Sequence, residues 1–149
     1  MIRKAVGAII RLNNQFLLVH KIKIMNGKNE PQDIEGEWDF PKGGVKPHEM
    51  DLEKAILREL REETGSDKYR IVKKFEDKIS FQFPLSFQKE SEFKSQETTL
   101  FLVDYIGDKT EIRSQDEEID RIGFFSRDEV IEKLAHNESK EFFMKVFPE

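Results

Sequence analysis

The sequence predicts an α/β domain in which a mixed β-sheet packs between helices. Two observations favour this class. Strand-like segments stand on both sides of one amphipathic helix, and two shorter helices follow the last strand. The chain has 149 residues, of which 37% are hydrophobic, and is long enough to bury a proper core. No internal repeat or linker interrupts it, so we expect a single domain over residues 1–149.

Apolar and β-branched runs bounded by turn signals predict the strands. In chain order these are 4–11, 16–21, a short aromatic strand at 38–40, 69–75, 78–83, 98–106 and 119–125. Asn13-Asn14 is a good hairpin turn between the first two strands. The polar stretch 25–37 contains an Asn-Gly pair and a proline, and we expect it to be a loop.

Three helices are expected. The first ends before Gly65, because glycine commonly terminates helices. Ser126 and Glu129 have the spacing of a capping box, which starts a second helix that runs to about residue 135. A short amphipathic helix follows over 139–147.

The first helix concentrates carboxylates near its end. Glu59, Glu62 and Glu63 share one face at helical spacing, and like charges four residues apart repel by a few tenths of a kcal/mol. A run of charges is usually a solvated surface. A bound cation is the alternative, and oxygen ligands of this kind suit Mg²⁺ or Mn²⁺.

The projection of the helix favours the cation. The three glutamates extend the apolar line formed by Leu52, Ala55 and Ile56, whereas Lys54, Arg58 and Arg61 project to the other side. Acids at the border of a buried stripe are partly desolvated and need a partner.

A loop rich in proline and glycine precedes this helix. Gly43 and Gly44 would let backbone approach a phosphate closely, and Lys42 would add positive charge, unless it is a solvated loop lysine. Trp38 and Phe40 could stack on a nucleobase. Alternating aromatic residues in a strand are, however, more often part of the core.

The segment GGVKPHEMDLEKAILRELREETGSD, residues 43–67, resembles the Nudix box. In that motif a glycine is followed after five residues by glutamate and after seven more by Arg-Glu, then by paired glutamates and a glycine. Counted from Gly43, Glu49 lies in place, but eight residues precede Arg58. Ser66 also departs from the aliphatic residue that usually follows the last glycine. Neither departure touches the three glutamates.

The resemblance implies the family's α/β/α sandwich over essentially the whole chain and a metal site for pyrophosphate chemistry. Glu59, Glu62 and Glu63 would be ligands, and an acid near residues 116–118 would complete the set. We favour Glu118 over Glu117, and Glu97 is a further candidate. The general base would be Glu62, Glu63 or Glu118. Arg58 would fix a glutamate of the helix by a charge-assisted hydrogen bond.

The resemblance also implies Mg²⁺-dependent hydrolysis of a nucleoside diphosphate linked to another group. The stretch 38–43, Trp-Asp-Phe-Pro-Lys-Gly, is similar to the branch that contains dinucleoside polyphosphate hydrolases and RNA 5′-pyrophosphohydrolases. The expected substrate is therefore a dinucleoside polyphosphate, a nucleoside triphosphate or a 5′-triphosphorylated RNA. A catalytically silent module that senses a nucleotide is the alternative.

Composition restricts the partners. The net charge of −5 argues against general binding to duplex nucleic acid but leaves recognition of an RNA 5′ end open. The sequence contains no cysteine, scattered histidines that do not suggest zinc, and no apolar run long enough to span a bilayer. These features predict a cytoplasmic protein.

Overall fold

The fold is described by a computed structural model that covers residues 1–149. Seven strands and four α-helices form it, with one short 3₁₀ turn at Lys109–Glu111. In chain order they are β1 (Ile2–Leu12), β2 (Gln15–Met25), β3 (Pro31–Asp39), β4 (Lys42–Gly44), α1 (Leu52–Thr64), β5 (Tyr69–Gln82), α2 (Leu85–Glu90), β6 (Ser95–Tyr105), β7 (Ile119–Phe125), α3 (Arg127–Lys133) and α4 (Asn137–Val146).

All seven strands belong to one mixed sheet. The main order is β3-β2-β1-β6-β5, with β4 added to β1 and β7 added to β2. Only β1 and β6 run parallel. The β1–β2 hairpin pairs at its first two positions only, Arg11 with Phe16 and Leu12 with Gln15. Beyond them the strands diverge, and each acquires another partner, β4 or β7.

Helices cover both faces of the sheet. Successive residues of each strand point to opposite sides, so each strand contributes to two separate cores. Val6, Ala8 and Ile10 of β1 join a core of 13 buried residues beneath α1. Ile9 joins a second core, of 12 residues, which includes residues of α3 and α4. The predicted α/β/α sandwich with a mixed sheet is confirmed.

Local sequence signals explain both ends of α1. The Asp51 carboxylate caps the first turn by accepting from the backbone N–H groups of Glu53 and Lys54. At the other end, Gly65 has a φ of 70°, in the left-handed region that glycine adopts readily. The next residue, Ser66, is buried, and its hydroxyl donates to the Tyr105 hydroxyl at 3.4 Å. This polar contact accounts for a serine at a position where the family motif has an aliphatic residue.

The prediction of a loop over residues 25–37 was wrong for the second half of that stretch, which belongs to strand β3. This strand lies at the edge of the sheet, and most of its residues are exposed on both faces. An edge strand of this kind lacks the apolar alternation that reveals buried strands. Pro31 is tolerated because it is the first residue of an edge strand.

The two strands predicted at 69–75 and 78–83 are one strand, β5, with two register shifts against β6. The charged residues 76–78 interrupt the alternation at the second shift, where the strand bulges. The following connection, residues 83–94, contains the short helix α2. The tip of the β2–β3 hairpin touches α2, since a Cβ on Gly27 would lie 2.8 Å from Glu90 Cβ.

Other expectations are confirmed. Strand β7 has the predicted bounds, and the Ser126–Glu129 capping box starts α3 with both of its reciprocal hydrogen bonds. Asn13 has a φ of 56°, as the hairpin turn requires. The final helix begins at Asn137, two residues before its predicted start.

Candidate active site

The carboxylates of α1 differ in their exposure. Glu59 and Glu63 are buried, with 9% and 3% of their surface exposed. This confirms that they border the apolar stripe. The Glu62 side chain is 47% exposed and lies at the rim. The helix therefore presents two enclosed acids and one accessible acid on the same face.

Gly43 lies directly beneath Glu59. A Cβ on Gly43 would overlap the carboxyl carbon of Glu59. Because Gly43 pairs with Val6 in the sheet, it faces the core beneath α1. The glycine-rich segment, expected to be a loop, is the short strand β4, and its first function is to let this carboxylate lie against the backbone.

Arg58 does not project away from the glutamates, so that prediction was wrong. Its guanidinium, 15% exposed, donates to Glu49, to Glu59 Oε2 at 3.0 Å and to Glu62 Oε2 at 3.0 Å. It also donates to the carbonyl of Gly44 at 3.1 Å. A long side chain on a helix leans towards the preceding turn, so Cα projection misplaced its charge. The predicted hydrogen bond from Arg58 to glutamates of the helix is present.

Glu49 is the main partner of Arg58. Its two oxygens accept from Arg58 Nε at 2.8 Å and Nη2 at 2.9 Å, and Oε1 also accepts from the Lys46 backbone N–H. The hydrogen bonds from Arg58 lower the pKa of Glu49 to about 2. The extra residue between Glu49 and Arg58 therefore does not prevent a bidentate ion pair from joining the loop to the helix.

The buried acids are only partly compensated, because Glu59 pairs with Arg58 at 3.0 Å while one oxygen of Glu63 has no partner. Glu63 Oε2 is fully buried and makes no hydrogen bond. Burial raises the pKa of Glu63 well above its ordinary value, and burial also raises the pKa of Glu59. Two neighbouring carboxyl groups in such a place resist ionisation unless positive charge is added.

Two basic residues beside these acids were missed from the sequence. Burial acts to lower the pKa of Lys21, yet nearby carboxylates, led by Asp39 and Glu63, raise it overall. Burial lowers the pKa of Arg3, while Glu59 and Glu118 oppose that effect. Both residues lie in strands, where alternation reveals a face but not which acids come near it.

Glu118 joins the site from the turn immediately before β7. It lines a cleft of about 610 Å³ together with Glu62, Asp116 and Glu117. Burial, followed by the charge of Asp116, raises the pKa of Glu118. Glu97 does not join the site, contrary to its candidacy. It pairs with Lys4 at 2.7 Å and with Lys78 at 3.1 Å on the surface.

No three acidic or histidine side chains converge closely enough to hold an ion in this conformation. Glu62 is instead held by Arg58, with Lys46 3.7 Å from its other oxygen. The donor set still fits a hard cation, because it consists of carboxylates and includes the orphaned oxygen of Glu63.

The predicted substrate contacts fare less well. Phe40 is completely buried in the second core, so the prediction that it could stack on a nucleobase was wrong. Lys42 is not a solvated loop residue. Its side chain is 12% exposed, and its ammonium lies 3.1 Å from Asp39 and 3.2 Å from the hydroxyl of Ser139 on α4. That places Lys42 against the helix layer opposite α1.

Trp38 is only partly buried, in contrast to Phe40. Its ring packs edge-on against Phe125 at 5.0 Å and lies 4.9 Å from His20. The cations of Arg121 and Lys133 lie over its ring at 5.3 and 5.5 Å. The partly exposed Trp38 ring is thus surrounded by two aromatic and two cationic side chains at this edge of the sheet.

The family model described as NUDIX domain matches residues 1–146. An RNA pyrophosphohydrolase of Nitratiruptor sp. is 41% identical over 58 residues, which are 39% of this chain and 37% of that protein. The RNA pyrophosphohydrolase of Campylobacter jejuni is 30% identical over 116 residues, which are 76% of this chain and 73% of that protein. The match thus spans well under half of the first relative.

Solved structures share the fold. A Caenorhabditis elegans Ap4A hydrolase superposes with a TM-score of 0.66 at 20% identity, covering 97% of this chain and 95% of that one.

None of the helices is both long and apolar enough to cross a membrane.

Proposed function

This chain belongs to the NUDIX domain family, and on that premise we propose that it hydrolyses a pyrophosphate bond in a nucleoside diphosphate linked to another group. The observation that carries the proposal is the carboxylate face of α1 lying against β4, with Arg58 bound to three glutamates. In this proposal residues 1–149 act as one hydrolase domain.

The cation of the reaction, Mg²⁺ or Mn²⁺, would be held by Glu59, Glu62, Glu63 and Glu118. Three features support that assignment: the unsatisfied oxygen of Glu63, the raised pKa values of the buried acids and the purely oxygen donor set. When bound, the cation would neutralise the diphosphate and acidify a water molecule.

The chain's own residues perform the remaining tasks. Arg58 positions Glu59 and Glu62, and it ties them to β4 through Gly44. Arg3 and Lys21 place fixed positive charge beside the acids, where an anionic substrate needs it. Glu62, Glu63 or Glu118 takes the proton from water. Glu62 is more accessible than Glu59 and Glu63, but it must first release Arg58.

Candidate substrates are a dinucleoside polyphosphate, a nucleoside triphosphate and a 5′-triphosphorylated RNA. Relatives named RNA pyrophosphohydrolase support the last of these. In this proposal a nucleobase stacks on Trp38 by taking the place of the Arg121 or Lys133 cation over its ring. Gly43 and Gly44 present backbone to the phosphates.

A second candidate is a nucleotide-sensing module without catalysis. The observation that favours it is the engagement of Glu62 by Arg58 and Lys46, which leaves no preassembled set of three ligands. The complete set of glutamates on α1 favours the hydrolase, because a module that only binds has no need to activate water.

The test measures phosphate and pyrophosphate release from the three substrate classes with Mg²⁺, with Mn²⁺ and with chelator. Turnover that requires metal supports the hydrolase. Glu62→Gln should abolish most of it, and Glu53→Gln, an exposed acid in the first turn of α1, is the matched control. Binding of a nucleotide without turnover in any condition would instead establish the sensing module.

The assignment of the acid from β7 has its own pair of variants. Glu118→Gln should lower turnover, whereas Glu117→Gln, its exposed neighbour, should not. Equal activities of the two variants would remove Glu118 from the site.

A further inference from the structure

Asp39 is a buried carboxylate to which the proposed chemistry gives no task. It is 4% exposed and is the last residue of β3, where the chain turns towards β4. Its Oδ1 accepts from the Phe40 backbone N–H at 2.8 Å, and its Oδ2 lies 3.1 Å from the Lys42 ammonium. Burying an ionised carboxylate is costly even when it is paired, so this residue calls for an explanation.

Contacts from the α4 side hold this carboxylate in place. The Lys42 ammonium that pairs with it also donates to the hydroxyl of Ser139 on α4 at 3.2 Å, and Ser139 is buried. One oxygen of Asp39 is thus bound to the backbone and the other to an anchored lysine. Asp39 is therefore a fixed negative charge.

Lys21 lies on the α1 side of Asp39. Asp39 pairs with Val19 of β2, which belongs to the core beneath α1. Lys21 is two residues further along β2, so its side chain points to the same face as Val19. Its own partner on β3 is Glu37. Lys21 and Asp39 are therefore diagonal neighbours, roughly 7–8 Å apart along the strands and within reach of a lysine side chain.

The acids of the candidate metal site lie on the other side of Lys21. Nearby carboxylates raise the pKa of Lys21, Asp39 first and Glu63 second, followed by Glu59 and Glu118. Glu63 Oε2 nevertheless makes no hydrogen bond, so the ammonium does not pair with the one acidic oxygen that lacks a partner. Lys21 is thus a flexible cation between a fixed anion and the proposed metal ligands.

We propose that Asp39 is a positioning residue that keeps the Lys21 ammonium away from the metal ligands. Without this fixed anion, Lys21 would pair with Glu63 and compete with a divalent cation for its charge. With Asp39 present, the acids accept the cation and the ammonium is left for the phosphates of the substrate. The inference rests on the proposed function and adds to its site a residue that touches neither the cation nor the substrate.

The test measures Mn²⁺ binding by calorimetry, without substrate, in wild type, Asp39→Asn, Lys21→Met and the double variant. Asparagine keeps the shape of the side chain and the acceptor for the Phe40 N–H, but not the charge. We expect Asp39→Asn to weaken Mn²⁺ binding by about tenfold, the order of effect of one unit charge near a partly solvated site. Lys21→Met should bind Mn²⁺ at least as tightly as wild type.

The double variant separates positioning from a structural role. Because it lacks both the anion and the competing ammonium, it should bind Mn²⁺ within about three-fold of wild type. If Asp39 only braces the fold, the loss in Asp39→Asn persists when Lys21 is also replaced. That outcome, or unchanged affinity in Asp39→Asn, would overturn the proposal.

Ser139→Ala is the matched control. It removes the contact between Lys42 and α4 but keeps every charge near the acids. It should lower the melting temperature slightly and leave the affinity for Mn²⁺ at the wild-type value.

A second background guards against misfolding. Asp39→Asn leaves the Lys42 ammonium without its counter-charge, and an unpaired buried charge is destabilising. The same four proteins are therefore also compared with Lys42→Met added to each. The loss in Asp39→Asn and its rescue by Lys21→Met should both recur there.

Failure of the proposed function would look different. The titrations need no turnover, so they decide the role of Asp39 even if the chain hydrolyses none of the three substrate classes. A wild type that binds no Mn²⁺ would overturn the metal assignment and this inference together. Binding to wild type without rescue in the double variant would overturn the role of Asp39 alone.

Discussion

Arg58 is the residue on which the geometry of the acidic site depends. Its guanidinium joins Glu49, Glu59 and Glu62, and lysine could keep the charge but not the fork of donors. We expect Arg58→Lys to lower kcat/KM by about 10²-fold, since misplacing catalytic groups by 1 Å costs that much. Arg61→Lys, one turn along and exposed, is the control. If Arg58→Lys and Arg61→Lys have the same kcat/KM, Arg58 does not position the site.

Glu63 should make the metal-free protein less stable at high pH. Its pKa is raised in the folded state, so its favourable contribution is present below pH 4.5 and is lost as pH rises through the raised pKa. Glu63→Gln should therefore increase the free energy of unfolding at pH 8 with chelator, by about 1–2 kcal/mol. The gain should vanish near pH 4.

Thermal unfolding with and without metal checks this prediction. Mg²⁺ should raise the melting temperature of wild type, because a ligand that binds only the folded state stabilises it. The increase should be smaller for Glu63→Gln. A variant that melts below wild type at both pH values, or that gains as much from Mg²⁺, would contradict the assignment.

Glu49 should have the opposite dependence on pH. Its pKa falls to about 2 in the folded state, so its contribution to stability is present above pH 4.5 and is lost as pH falls towards 2. Other carboxyl groups with lowered pKa values titrate in the same range. The comparison with Glu49→Gln isolates this one, and the variant should lose less stability between pH 5 and pH 3. Parallel melting profiles would count against the ion pair.

Much of the site could be predicted at the residue scale, because the acids of α1 carry their spacing in the sequence. Glu59 and Glu63 are buried as the helical projection requires. Arg58 could not be placed in the same way, since projection locates Cα and the guanidinium lies several bonds away. Lys21 escaped notice because the carboxylates that raise its pKa, led by Asp39 and Glu63, come from other elements of the fold.

Strand β4 has three residues, and two of them are glycines with close neighbours. Gly43→Ala would push the enclosed carboxylate of Glu59, whereas Gly44→Ala meets the flexible end of Arg3. We expect Gly43→Ala to raise the Mg²⁺ concentration for half-maximal activity by about tenfold, because displaced ligands bind metal more weakly. Gly44→Ala should leave that concentration nearly unchanged. A larger effect at Gly44 would show that β4 does not seat Glu59.

At the element scale, the prediction succeeded where an element is buried on one face. Helix α1, strand β7 and the cap of α3 follow from periodicity and capping residues. It failed for β3. Backbone hydrogen bonds to β2 hold this strand in the sheet, and its exposed side chains show little periodic pattern. It also divided β5, where a bulge breaks the alternation without ending the pairing.

At the scale of the whole molecule, the sandwich could be predicted from the order of strands and helices and from the motif. The partners of β1 could not. A hairpin signal at Asn13-Asn14 implies that β1 pairs with β2 along its whole length. Most residues of β1 pair instead with β6 or β4. Such long-range pairing is set by which faces must be covered by helices, and no local pattern records it.

The parallel pairing of β1 with β6 also has a consequence in time. Partners such as Arg3 and Gln96 are 93 positions apart in the chain. At about 5–20 residues per second, a ribosome needs roughly 5–20 s to deliver β6 after β1. Until then the central strand, Ile2–Leu12, has an unpaired apolar edge, so the nascent chain passes through an interval in which it is vulnerable to aggregation and to chaperone capture.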